Sequence, residues 1–398
     1  MMNQDEIRND FPQLKQGFIY FDSGSTSLKP IPVLNAINNY YETLSASVGR
    51  GLHYPSYLAT KSYDEAHEKV RKFFNGKGEI IFTKNCTEAI NIIAHGIEWK
   101  AGDKIVTTYL EHNSNLLPWL NLRSQGVEVE VLKCKIDGTI CLKELSKSID
   151  NKTKLVAVTH TSNVLGTIVP VEDITEIAKK KGAMVLIDGA QAAPHLKVDF
   201  EAIGCDFYAA SGHKMLGPSG TGFLYINTPV LNRLKPMMLG GGSATDVELE
   251  NITYTQGRAI FEAGTPNIAG GIGLGAAVEY LEKIGMEQIK EHELELVAYL
   301  MDQLKKIDGI TIHGPRELKK RTGVLSFSIK NIPAHRIAIL LDEIGGIAIR
   351  SGNHCAFLLC RDILKEECGT ARVSFYIYNT QEEIDKFIDV LEEIVKNA

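Results

Sequence analysis

The sequence has no apolar run approaching the roughly 20 residues that a membrane-spanning helix needs, so no helical span is expected. Charge of one sign is not in excess either. Lys and Arg number 43 against 49 Asp and Glu, a net charge of -6, which argues against a general nucleic-acid binder or a partner of anionic membranes. The opening residues, Met1 to Asp10, lack the basic flank and apolar core of a secretory signal, so the cytoplasm is the expected compartment. Paired cysteines are missing too. The seven are odd in number and scattered (Cys86, Cys134, Cys141, Cys205, Cys355, Cys360 and Cys368), which makes no disulfide framework. No Cys-x-x-Cys knuckle occurs, so a zinc site built from His354, Cys355, Cys360 and Cys368 is a weak reading and no metal is expected. Repeats, low-complexity tracts and long linkers are also absent.

What is present is 398 residues, enough for a sizeable core and more than one domain. Apolar runs that read as strands alternate with helical patterns from Glu79 to Ile226. That alternation predicts an α/β domain with a mainly parallel sheet and helices on both faces. Ligands of such sheets bind beyond the carboxyl ends of the strands. A Gly-rich stretch, Gly240 to Ser243, opens a loop or hairpin that ends near Pro266. A Gly- and Ala-rich helix is expected from Asn267 to Ile284, and a long amphipathic one from Met286 to about Ile307. After it the order of strands and helices changes to that of a smaller α+β unit.

Residues able to do chemistry collect at the expected strand ends. Lys214 follows the apolar run Phe207–Ala210 and precedes a Gly-Pro-Ser-Gly turn. A lone lysine is usually a solvated surface charge. One set among small and apolar residues can lose solvation, drop in pKa and form a Schiff base with a carbonyl. Asp188 ends the strand Val185–Ile187. Alone it could be a helix N-cap. Paired with such a lysine it fits pyridoxal phosphate, the lysine holding the aldehyde and the carboxylate keeping the pyridine nitrogen protonated. Gln191 and Asn163 could reach the phenolic oxygen of that cofactor; the bland readings are an exposed helix residue and an Asx-turn. Cys86-Thr87-Glu88 opens a helix after a strand, a place where free backbone N–H groups bind phosphate. Thr87 fits a phosphate ligand or an N-cap equally well, and Ser211, His213 and Thr265 are further phosphate candidates. His112 could stack on an aromatic cofactor and move protons, or be a hydrogen-bonded loop histidine. Arg350 and Arg372 could each grip a substrate carboxylate bidentately, or form surface ion pairs. Cys355, beside His354 and near Arg350, could be an activated nucleophile or an inert buried thiol.

Taken together these stretches resemble a known family over essentially the whole length. They are Phe21-Asp22-Ser23, Arg50 to His53, Thr87 to Asn91, Glu111-His112, Ser162 to Gly166, Asp188 to Gln191, Ser211 to Lys214, Phe261 to Asn267 and Arg350 to Ala356. The chain is similar to class V, fold-type I pyridoxal-phosphate enzymes, and within them to group II cysteine desulfurases and selenocysteine lyases.

The resemblance implies a large domain with a seven-stranded, mainly parallel sheet over residues 16–284. It implies an arm over 1–15 that joins a small C-terminal domain over 285–398. It also implies roles. Lys214 holds the cofactor and shuttles protons, Asp188 pairs with the pyridine nitrogen, and His112 stacks on the ring. Gln191 contacts the phenolic oxygen. Asn163 and Arg372, with Arg350 nearby, hold the substrate carboxylate. Thr87, Ser211 and His213 bind phosphate, with Cys86 beside them. Thr265 reaches the phosphate of a neighbouring subunit, which implies a homodimer. Cys355 takes sulfur from L-cysteine, or selenium from L-selenocysteine, and passes it to an acceptor protein. The chain departs from the family's common pattern at Gly49, Cys86 and Asn353. A C–S lyase on the same scaffold and a non-catalytic scaffold protein are the alternatives; the intact Lys214, Asp188 and His112 set argues against the second. Cys360 could relay sulfur from Cys355 or pair with it.

Overall fold

The structure, a computed structural model, describes residues 4–397; residues 1–3 of the expected arm lie outside it. Its centre is a seven-stranded sheet. The strands are β2 (Glu79–Thr83), β3 (Lys104–Thr108), β4 (Glu128–Leu132), β5 (Thr153–Thr159), β6 (Met184–Asp188), β7 (Phe207–Ser211) and β8 (Gly222–Ile226). Their order across the sheet is β2-β8-β7-β6-β5-β3-β4, and only β8 runs antiparallel to its neighbours. β3, β6, β7 and β8 are buried along almost their whole length, because helices cover both faces and each face meets its own apolar cluster.

Register then sets the site. Thr159 lies opposite Asp188, and Asp188 opposite Ala209. Parallel strands all end on one edge, so residues leaving β3, β5, β6 and β7 converge there.

Glycine lets the helix Ile268–Ile284 lie close to its neighbours. A Cβ on Gly271 would stand 2.7 Å from the Tyr63 ring and 2.8 Å from that of Phe82. Its partner, the helix Tyr54–Phe73, is opened by Pro55 in its first turn and by the His53 ring, which accepts the Ser56 N–H. A hairpin of β9 (Ala244–Glu248) and β10 (Asn251–Tyr254) stands out from this unit with Val247, Leu249 and Ile252 exposed.

The C-terminal unit holds the four-stranded sheet β11-β12-β15-β14. These strands are Ile310–His313, Val324–Ile329, Thr370–Ser374 and Arg350–Gly352, all antiparallel. Helices Ala334–Gly345 and Gln381–Lys396 pack on it, the latter opened by a reciprocal capping box between Thr380 and Glu383. Strand β1 (Ile19–Tyr20) falls after the expected arm boundary at residue 15, yet it pairs with β13 (Ile347–Ala348). Ile19 and Phe21 enter the core of the C-terminal unit. No helix among the described residues is long and apolar enough to cross a membrane.

Candidate active site

A cavity of about 480 Å³ opens where the carboxyl edge of the large sheet meets β14 and β15. Lys214, Asp188, His112, Gln191, Asn163, Cys86, Thr87, Ser211, His213, Arg350, Arg372 and Cys355 all line it. Of the residues singled out from the sequence, Thr265 and Cys360 do not line it; Cys360 is fully buried, and Thr265 lies elsewhere. It borders a second cavity of about 570 Å³ with Arg50, Gly242 and Arg258.

Lys214 sits on a single helical turn, Gly212–Lys214, directly after β7. The peptide before it is clamped by a segment that sequence reasoning passed over. The His213 carbonyl accepts from the Ser27 N–H and hydroxyl at 3.0 Å, from the Thr26 hydroxyl at 3.1 Å and from Lys29 Nζ at 2.9 Å. Burial lowers the Lys214 ammonium pKa, Asp188 opposes that, and the Arg372 cation lowers it further.

Asp188 is 3% exposed. Its Oδ1 accepts the Ala190 N–H at 3.0 Å and the Cys86 thiol at 3.3 Å, and among the described residues none hydrogen-bonds Oδ2. Gly189 follows because a Cβ there would stand 1.9 Å from the Tyr208 ring.

His112 leaves β3 and turns back on itself. Its Nδ1 accepts the Ser114 N–H at 3.1 Å and lies 2.9 Å from Ser114 Oγ, which is 2.7 Å from Thr87 Oγ1. That network assigns the ring proton to Nε2. Burial, with the Lys214 charge beside it, pushes the His112 pKa down to about 4, so the ring is neutral at pH 7. Behind it Glu111 is buried and pushed up to about 8, while accepting from Thr108 and Asn115 at 2.6 Å each.

The helix Cys86–Gly96 points its first turn at the cavity. Asn85 caps the Glu88 N–H at 2.9 Å, and Ser211 Oγ accepts the Cys86 N–H at 2.9 Å. The Thr87 N–H is left for a ligand, as is the Ser211 hydroxyl proton. Burial, with Lys214 and Lys29 nearby, lowers the His213 pKa to about 4.

The two arginines are organised by Asp22 and Ser25. Arg372 is 2% exposed, and burial pushes its pKa down. Its Nη2 reaches Asp22 at 3.1 Å and Ser25 at 2.8 Å, and its Nη1 donates to the Asn163 carbonyl at 2.9 Å. Arg350 donates to Ser25 Oγ at 2.8 Å and pairs with Asp22 at 3.0 Å. The free fork expected at each guanidinium is therefore already occupied; on Arg372 the buried Nε–H remains without a partner.

Cys355 follows β14 on a loop in which His354 and Cys355 both adopt left-handed backbone, φ 50° and 56°. Two such non-glycine residues in succession cost roughly 1–3 kcal/mol each, so the surroundings must enforce them. Asn163 Nδ2 donates to the His354 carbonyl at 2.7 Å, and the Asn113 N–H donates to the Cys355 carbonyl at 2.7 Å. The loop base is fixed because a Cβ on Gly369 would stand 2.0 Å from the Gly352 carbonyl carbon.

His354 does not serve the thiol as its sequence position suggested. Its Nε2 is 3.0 Å from both the carbonyl and the hydroxyl of Thr370, and burial pushes its pKa far down, so it is neutral. Cys355 is exposed, whereas Cys360 is fully buried with its thiol 3.6 Å from the Asn353 carbonyl; both are free.

A pyridine ring carrying an aldehyde and a phosphate fits these groups on the donor set alone. An amine of lowered pKa would meet the aldehyde, and the Asp188 carboxylate the ring nitrogen. The buried Gln191 amide, whose Nε2 donates to the Gly24 carbonyl at 2.6 Å while Oε1 is unpaired, borders the ring. A helix N-terminus with Ser211 and His213 meets the phosphate.

This lysine–aspartate pair at the carboxyl edge of a doubly covered sheet, with a small α+β unit closing over it, defines the architecture of fold-type I pyridoxal-phosphate enzymes. The chain belongs to the aminotransferase class-V family, whose model matches residues 19–387. It is 44% identical to a protein of Halalkalibacterium halodurans named "Probable cysteine desulfurase", over 98% of each chain. A Pyrococcus abyssi protein of the same name is 43% identical, over 99% of this chain and 98% of that one. Among solved structures, the apo cysteine desulfurase of Thermococcus onnurineus superposes with a TM-score of 0.96 at 41% identity, covering 100% of this chain and 99% of the other. The S-sulfonic acid form of an Escherichia coli cysteine desulfurase gives 0.92 at 31% identity, with the same coverage.

Proposed function

We propose that this enzyme is a pyridoxal-phosphate-dependent cysteine desulfurase that moves the sulfur of L-cysteine onto Cys355 and releases L-alanine. The observation that carries the reading is the placement of a free, exposed thiol on an enforced left-handed loop in the cavity that holds Lys214, Asp188 and Arg372. The names of the relatives support it.

Each residue then has a task. Lys214 would hold the cofactor at its aldehyde, and its amine would serve as the base for the substrate's α-proton. The Asp188 carboxylate would pair with the pyridine nitrogen. Neutral His112 presents its Nε2–H to the cavity. Thr87, Ser211 and His213 hold the phosphate. The Arg372 Nε–H, with Arg350 at the mouth, takes the substrate carboxylate. Bound at Lys214, pyridoxal phosphate supplies an electron sink for charge developing at the substrate's α-carbon. Cys355 attacks as the thiolate. Its sulfur bonds to the substrate sulfur while the substrate's C–S bond breaks, and the electron pair left on carbon takes a proton to give alanine. The balance is L-cysteine plus the Cys355 thiol giving L-alanine plus a Cys355 persulfide.

The same reading includes a homodimer that brings Thr265 to the partner's phosphate, consistent with its separation from the main cavity of its own chain. It also includes a protein that accepts the persulfide sulfur, and a cytoplasmic place of work, in keeping with seven free cysteines.

Product analysis tests the reading. Alanine, equimolar with sulfide released under a thiol reductant, is expected from L-cysteine. Pyruvate and ammonia in place of alanine would identify a C–S lyase instead.

A further inference from the structure

Among the cavity residues described, Cys86 is the one whose side chain bonds the Asp188 carboxylate. It opens the helix Cys86–Gly96 and is 4% exposed. Its backbone N–H is fixed to Ser211 Oγ at 2.9 Å, so its side-chain direction is set by the phosphate end of the cavity. The thiol lies 3.3 Å from Asp188 Oδ1, on the oxygen that also accepts the Ala190 N–H. A buried carboxylate stays ionised only while donors satisfy it. Here the two donors share one oxygen and leave the other, Oδ2, unpartnered toward the cavity.

We infer that Cys86 is a positioning residue: its S–H bond fixes the Asp188 carboxylate in the orientation that presents Oδ2 to the ring nitrogen of the cofactor. The inference rests on the proposed cofactor and deepens it. Burial, with the Asp188 charge next to it, drives the Cys86 pKa well above the ordinary thiol range. The sulfur therefore keeps its proton and remains a donor. This also assigns Cys86 a part different from phosphate contact.

The consequence concerns where a proton sits. Without the S–H donor the carboxylate loses its fixed orientation, and its Oδ2 contact to the protonated pyridine nitrogen weakens. Substrate capture, which depends on Arg372, is untouched. The test uses holoenzyme loaded with pyridoxal phosphate labelled with ¹⁵N at the ring nitrogen. Cys86→Val and the smaller Cys86→Ala are expected to move that resonance toward the neutral-pyridine value. They should lower kcat about fivefold, the worth of one modest hydrogen bond, with KM for L-cysteine unchanged. Cys86→Thr, which restores a donor on a branched side chain, is expected to return the resonance and kcat toward wild type. Loaded Val and Ala variants with the wild-type resonance, or a Thr variant that behaves like Ala, would overturn this assignment alone. A wild-type protein that takes up no pyridoxal phosphate would overturn the cofactor reading along with it.

Discussion

Asn163 shows how one residue can tie two parts of the site together. Its backbone carbonyl accepts a hydrogen bond from Arg372, and its side-chain amide donates one to the His354 carbonyl. Arg372 and the Cys355 loop are thus joined through a single residue. Asn163→Ala removes a 2.7 Å bond that helps enforce two left-handed residues. The expected loss is about 1–2 kcal/mol of loop stabilisation. Turnover should fall roughly tenfold while the cofactor's absorbance persists, and steady-state kinetics on the loaded variant checks this. At this scale the sequence was legible where chemistry is local. Lys214 after an apolar strand and Asp188 at a strand end both announce themselves. Asp22, Ser25 and Ser27 do not, because their value lies in Arg350, Arg372 and His213, far away in the chain.

Among elements, the hairpin from β14 to β15 carries the catalytic loop, and Gly369 is its fixed point. At φ 76°, with the Gly352 carbonyl carbon 2.0 Å from any added Cβ, a side chain cannot be placed without separating the strands. Gly369→Ala should cost about 2 kcal/mol or more, seen as a lower melting temperature. It should also abolish alanine formation in protein that still binds cofactor. Retained turnover would show that the loop does not depend on the hairpin.

Periodicity read the buried strands well, since β5 to β8 are continuous apolar runs. Between Asn115 and Ser124 the apolar spacing reads as one helix, but the structure does not form one. The His112 ring takes the Ser114 N–H, and Leu116 turns out of helical backbone, so short turns replace it. The final turn of the helix from Ile31 widens at Tyr40–Leu44, a change that spacing alone does not signal.

For the whole molecule, the buried histidines set a pH dependence. His112, His160 and His213 all drop from 6.5 to about 4 on burial. Each is depressed on folding, so its contribution is complete above 6.5 and is lost as pH falls through 4. Glu111 works the other way. Raised to about 8, it contributes fully below its ordinary value near 4.5, and that contribution is lost as pH rises through 8. These histidines, with His354, His292 and His313 also lowered by burial, outweigh Glu111 below 6.5, and the sign reverses above it. Maximum melting temperature is expected between about pH 6 and 7, and Glu111→Gln should shrink the alkaline decline. Thermal melts across pH 4.5 to 8.5 check both limbs.

Assembly belongs to the same scale. Thr265 lies in the second cavity, apart from the phosphate end of its own chain. The account expects a dimer by sedimentation and weaker cofactor retention in Thr265→Val. A monomer that holds the cofactor tightly would refute that arrangement. The change in element pattern near Met286 is visible in the sequence; the pairing of β1 with β13 is not, because two residues carry no periodicity.

The central claim is that Cys355 accepts the sulfur. Intact-protein and peptide mass spectrometry after a single turnover with L-cysteine, without reductant, tests it most directly. The account predicts a gain of one sulfur atom on the peptide containing Cys355, one alanine per sulfur, and neither in Cys355→Ala that retains its cofactor. Sulfur found on another cysteine, or undiminished alanine from the variant, would contradict it.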